Sequence, residues 1–217
     1  MEIIGVSDIH GKIEKVRALA DEVTGRENTP DLIMVAGDIT NFGTGKEARK
    51  ILEPLLDLGI TVLAVFGNCD GRDVPELLDE LGIGAHNRRV EVGGLGIVGV
   101  GGSNITPFNT VWELSEGEIE KILGQNYRSG DLILSHVPPY NTKVDRTHSN
   151  LHVGSKALRR FIEDRKPPLV LTGHIHEARA IDQIGETLIV NPGPLFKGYY
   201  AEIRIENGKA SAELKRL

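Results

Sequence analysis

The sequence predicts an α/β fold, on three observations. Five short apolar runs, Ile3 to Val6, Leu32 to Ala36, Val62 to Phe66, Leu132 to Leu134 and Leu169 to Leu171, each read as a buried strand. Segments with helical spacing alternate with the first three runs, the order expected of parallel strands joined by helical crossovers. Each run hands over to side chains of metal-binding type: Asp8-Ile9-His10, Gly37-Asp38, Gly67-Asn68-Cys69-Asp70, Ser135-His136 and Gly173-His174-Ile175-His176. The loops at strand ends are where open α/β sheets build their sites.

After the first strand, Ile13, Val16, Leu19, Ala20 and Val23 share one helical face that should cover the sheet. A second helix is announced by Thr44 with Glu47 three residues on, a capping-box spacing, and Pro54 should kink or end it. A third is expected from Val74 to Leu81. The strand-like runs Arg89 to Val92 and Gly96 to Val100 flank Gly93-Gly94, a hairpin signal that could begin a second sheet. Ser115 and Glu118 form another capping box, followed by Ile119, Ile122 and Leu123. The stretch Val137 to Val153 has little periodicity but carries Lys143, Arg146, His148 and His152, and a loop this long in a compact domain is often functional. Ser155 then N-caps a helix whose buried face is Leu158, Phe161 and Ile162, with Lys156, Arg159, Arg160, Arg165 and Lys166 on a solvated face. Beyond it, Ala178 to Ile184, Thr187 to Val190 and Tyr199 to Ile205 read as antiparallel strands.

A chain of 217 residues suits one well-buried domain, taken as residues 1–217. No apolar run reaches the roughly 18 residues a membrane helix needs. The first strand begins at Glu2 or Ile3 and leaves no room for a cleavable signal, and the single cysteine, Cys69, fits a reducing compartment, so a cytoplasmic protein is expected. The net charge of −6 and the 5% aromatic content disfavour nucleic acid as a partner, although a local basic patch stays open, as does a homo-oligomer.

Carboxylate, imidazole and amide oxygen together suit hard or borderline divalent ions better than thiolate-rich sites do. The recurrence of Asp, His and Asn at strand ends resembles the calcineurin-like metallophosphoesterases, over nearly the whole chain. That resemblance implies a four-layer α/β/β/α sandwich with mixed sheets and a two-metal centre. It implies that Asp8, His10, Asp38 and His176 hold one ion, with Asp38 bridging to a second completed by Asn68, His136 and His174. Mn²⁺ is favoured, with Fe²⁺, Ni²⁺ or Zn²⁺ as alternatives. Gly173 would allow the close approach that lets His174 and His176 reach different ions.

Two divalent ions outweigh Asp8, Asp38 and a bridging hydroxide by a small positive remainder, which attracts a phosphate ester and stabilises charge on its oxygens. The expected reaction is in-line attack by activated hydroxide on a small phosphate ester, with Asp38, Asn68, Cys69 and His136 as the catalytic set and no covalent enzyme intermediate. Many relatives carry histidine where this chain has Cys69. The resemblance thereby narrows to a smaller bacterial and archaeal branch with Gly-Asn-Cys-Asp, typically phosphodiesterases. Cys69 reads either as a participant or as a small packing residue. His148 or His152 is the expected substitute acid for the leaving group. Asn41 and Asn104 each read as a turn residue or a substrate contact. Phosphomonoesterase or pyrophosphohydrolase activity is the enzymatic alternative, and a protein-binding scaffold of the same fold is the non-enzymatic one.

Overall fold

Apolar residues alternate sides along the central strands, and that alternation builds four layers. The computed structural model describes residues 1–217. Its first half runs β1 (Glu2–Val6), α1 (Ile13–Thr24), β2 (Leu32–Ala36), α2 (Gly45–Leu56), β3 (Thr61–Val65) and α3 (Val74–Glu80). The middle runs β4 (Arg89–Val92), β5 (Leu95–Val100), β6 (Ser103–Asn104), β7 (Glu113–Leu114), α4 (Glu116–Asn126) and β8 (Leu132–Ser135). The last third is α5 (Lys156–Arg165), β9 (Leu169–Leu171), β10 (Ala180–Ile184), β11 (Thr187–Asn191), β12 (Tyr199–Glu206) and β13 (Lys209–Arg216).

One sheet has the order β13-β12-β1-β2-β3 and the other β10-β11-β9-β8-β5-β4, with β6 and β7 forming a small ladder of their own. Ile33 and Val35 face α1 to α3, while Leu32 and Met34 face the second sheet and meet Leu132, Leu134, Leu169 and Leu171. The outer face of the second sheet, with Val98, Ile133 and Val170, packs on Ile119, Leu123, Leu158 and Ile162 of α4 and α5. The architecture is therefore the four-layer α/β/β/α sandwich.

The expected caps form. The Thr44 N–H and hydroxyl both donate to the Glu47 carboxylate, Ser115 exchanges hydrogen bonds with Glu118, and Ser155 accepts from the Leu158 N–H. Pro54 lies in the last turn of α2, which stops two residues later at Leu56. The Gly93-Gly94 hairpin is present, with both glycines at positive φ and Val92 opposite Leu95.

The sheet carrying β1 is mixed, as expected, because the antiparallel pair β12 and β13 adds beside its three parallel strands. Two points need correction. The three late strands do not form one antiparallel group: β11 runs parallel to β9, and β12 crosses to the other sheet beside β1. Finally, β13 is a full strand that the sequence pattern concealed, since two of its three inward residues, Ala210 and Ala212 beside Leu214, are small and have low strand propensity. No helix is long and apolar enough to cross a membrane.

Candidate metal centre

The loops that follow β1, β2, β3, β8 and β9 converge, so the candidate residues come from adjoining edges of both sheets. Backbone strain accompanies the convergence. Asp8, His10, Asp38 and His174 all have positive φ, between 46° and 68°. For a non-glycine residue this region costs about 1–2 kcal/mol and persists only where the surroundings hold it. Glycine is required close by: a Cβ on Gly67 would collide with the Asp38 carboxylate, and one on Gly173 would sit 2.8 Å from Asp8 Oδ2.

Asp8, His10, Asp38 and His176 place their ligand atoms within 4.8 Å of one another. Asp8 and Asp38 are buried, yet their ion-pair partners are histidines alone, with no lysine or arginine at hand. The His10 and His176 Nε2 atoms face each other at 3.1 Å. On the other side of Asp38, His136 Nε2 lies 3.5 Å from the carboxylate and 3.0 Å from Asn68 Oδ1. The His136 Nδ1–H donates to the Ala36 carbonyl at 2.7 Å, which fixes the ring and leaves Nε2 for the centre. The His174 ring stands 5.1 Å from that of His136, and its backbone N–H donates to Asp8.

Such a donor set suits divalent cations: buried carboxylates without a fixed counter-charge, and imidazole nitrogens aimed at one another and at an amide oxygen. Titration follows the same logic. Against the cost of burial, His136, His10 and the Cys69 N–H hold Asp38 well below the usual carboxylate range. Burial opposes the charged form of His136, yet Asp38 raises its pKa to about 9. Burial and the neighbouring His136 lower His174 to about 4. A proton on His136 takes the part a cation would play, and His174 cannot also be charged beside it.

Cys69 is half-buried beside the cluster. Its N–H donates to Asp38 Oδ1 at 2.8 Å, and burial with Asp38 pushes its thiol up, so it keeps its proton. Asn41 is exposed in the loop after Asp38. Asn104 donates to the Val153 carbonyl at 3.1 Å, while its Oδ1 is buried without a partner. His148 and His152 separate. His148 is exposed beside Glu177, whereas His152 lines a cleft of about 840 Å³ that shares the walls His174 and His176.

Three residues support the site: Asp70, expected only as a member of the third motif, and Phe196 and Asp145, which the sequence did not single out. Asp70 accepts from the N–H groups of Ile39, Thr40 and Gly67 and from the Thr40 hydroxyl, tying the loops after β2 and β3 together. Burial and Asp38 push its pKa up to about 6. Phe196 packs edge-on against His10 and His176, with centroids 5.6 and 5.1 Å away. Asp145 underlies His152. Asp70 was marked by its place in the Gly67-Asn68-Cys69-Asp70 motif, though not as a brace between loops, whereas Phe196 and Asp145 carried no sequence signal.

Comparison with known proteins places the chain in a family and a fold. The uncharacterized protein MJ1162 of Methanocaldococcus jannaschii is 40% identical over 207 residues, covering 92% of this chain and 90% of its own. Among solved structures, TT1561 of Thermus thermophilus superposes with a TM-score of 0.71 at 20% identity, over 98% of this chain and 97% of its own. A dimetal phosphatase from Danio rerio gives 0.69 at 11% identity, over 100% of this chain and 96% of its own, a likeness of fold. The family model described as calcineurin-like phosphoesterase matches residues 1–178, and the chain belongs to that family.

Proposed function

We propose that this chain is a metal-dependent phosphodiesterase acting on a small phosphate ester. The observation that carries the reading is the pair Asp8 and Asp38, two buried carboxylates whose ion-pair partners are histidines alone. One divalent ion would be held by Asp8, His10, Asp38 and His176, and a second by Asp38, Asn68, His136 and His174. Bound there, the ions would supply Lewis acidity toward the phosphoryl oxygens and lower the pKa of a water. Mn²⁺ is the favoured ion.

The chain's own residues prepare that chemistry. Ala36 locks the His136 tautomer, and Asp70 holds the two loops that present Asp38 and Asn68. The His174 N–H orients Asp8, and the protonated thiol of Cys69 leaves solvent water as the nucleophile. Hydrolysis then proceeds without a covalent enzyme intermediate. Diesters are favoured over monoesters or pyrophosphates by the Gly67-Asn68-Cys69-Asp70 motif, which resembles that of the phosphodiesterase branch.

A screen of chain reconstituted with Mn²⁺, Fe²⁺, Ni²⁺ or Zn²⁺, on nitrophenyl diester and nitrophenyl monoester, tests this. Diester turnover that vanishes in Asp38→Ala and His176→Ala is the expected result. Faster turnover of the monoester would replace the diester reading with the phosphomonoesterase one, and failure to bind any metal would favour the scaffold.

A further inference from the structure

The loop between β8 and α5 holds a histidine–carboxylate pair outside the metal centre but on the cleft that adjoins it. His152 Nδ1 lies 2.7 Å from Asp145 Oδ1. Asp145 is fully buried, and it accepts from the N–H groups of Asn141, Thr142 and Gly154, at 2.8 to 3.0 Å, and from the Thr142 hydroxyl. A carboxylate so supplied is an acceptor, so the His152 Nδ1–H donates to it and the ring's tautomer and orientation are set. Nε2 is left with no partner in the protein.

The loop is held in place around this pair. Arg146 pairs with His152 across a short antiparallel bridge, and Pro139 pairs with Ser155. Asn104 grips the Val153 carbonyl, and the Tyr140 ring stands edge-on to His152 with centroids 5.9 Å apart. The side chain of His152 remains 27% exposed, and that exposed part faces the cleft walled by His174 and His176. His148, the other histidine of the loop, lines a separate depression with Arg146 and Arg179.

Resting on the phosphodiesterase reading above, we propose that His152, oriented by Asp145, is the proton donor to the leaving alcohol, which sits in this cleft. The substrate class is then an ester of an unactivated alcohol, whose alkoxide leaves slowly unless protonated. In the step, water adds its oxygen to phosphorus and the bond from phosphorus to the leaving oxygen breaks. The electron pair stays on the leaving oxygen, which takes the Nε2 proton of the imidazolium. The attacking water releases its proton to solvent, and His152 is reprotonated from solvent. The apolar side chains of Ile105 and Phe108 at the rim of the cleft, 70% and 80% exposed, fit an alcohol with an apolar or ring portion.

The test is His152→Asn, because the asparagine amide can still donate to Asp145 and hold the loop while offering no acid to the cleft. Full-length, Mn²⁺-loaded wild type and variant are compared on methyl aryl phosphate diesters with p-nitrophenyl, p-chlorophenyl and phenyl leaving groups. The expected result is a loss in kcat of about 100-fold or more on the phenyl ester and of less than about 3-fold on the p-nitrophenyl ester. An equal loss across the series, or none on the phenyl ester, overturns the proposal. His152→Gln replaces the variant if thermal melting shows that His152→Asn does not fold. Wild type that binds Mn²⁺ but turns over no ester in the series overturns the phosphodiesterase reading itself, and the proton-donor role with it.

Discussion

The Nε2 atoms of His10 and His176, 166 positions apart in sequence, face each other at 3.1 Å. One proton can lie between two imidazoles, but Asp8 and Asp38 bring two carboxylates to the same place. A divalent cation satisfies all four groups, whereas protons satisfy them only in part. Metal should therefore stabilise the fold. Mn²⁺ at a hundredfold excess over its dissociation constant adds about 2.7 kcal/mol, or roughly 5–10 °C in Tm for a chain of this size. Calorimetry with and without chelator measures it, and an unchanged Tm would argue that the cluster does not hold metal.

Asp70 braces the loops that present Asp38 and Asn68. In Asp70→Asn one acceptor oxygen becomes a donor that faces N–H groups, so buried donors lose their partner. A loss of about 2 kcal/mol is expected in urea unfolding of the metal-free chain. Weaker Mn²⁺ binding should accompany it. A variant as stable as wild type would show that the two loops hold their places without this carboxylate.

The gap between the loops after β2 and β3 is narrow enough to require glycine. Gly67→Ala should push the Asp38 carboxylate from its position, because the new methyl group overlaps it. Isothermal titration should show Mn²⁺ affinity reduced about tenfold or more, on the scale at which support of metal ligands is felt. Unchanged affinity would mean that the loop relaxes at no cost to the centre.

Away from the metal, His86 gives a pH dependence of its own. Burial, then the nearby Arg88, lower its pKa to about 4, and its Nδ1 accepts the Gly101 N–H at 2.9 Å, which requires the neutral ring. The folded pKa lies below the unfolded one, so this contribution is complete above about pH 6.5 and is lost as pH falls toward 4. Urea unfolding in chelator at pH 7.5 and 4.5 should show wild type losing about 2 kcal/mol more than His86→Gln. Equal losses would remove His86 as the cause.

Most of the fold and the candidate ligands were legible because burial and chemistry coincide along the chain. The strands on both sides of the central interface are covered on both faces, so Leu32 to Ala36 and Leu132 to Leu134 read as continuous apolar runs. Their polar sequels then stand out. The edge was not legible for the opposite reason: β13 only half-buries Ala210, Ala212 and Leu214 on one face and exposes Lys209, Ser211 and Glu213 on the other, a weak strand pattern. Nor could the sequence choose between His148 and His152, which lie four residues apart in a loop without periodicity. Burial of Asp145 and its backbone donors separates them, and those are tertiary contacts.

Metal content is the most direct measurement. Wild type, Asp38→Ala and His174→Ala, each loaded with Mn²⁺ and freed of excess, would be assayed for bound metal by mass spectrometry. A two-ion centre bridged by Asp38 predicts about two ions per wild-type chain, fewer than one in Asp38→Ala and about one in His174→Ala. No more than one ion in wild type, or two retained in Asp38→Ala, would contradict it.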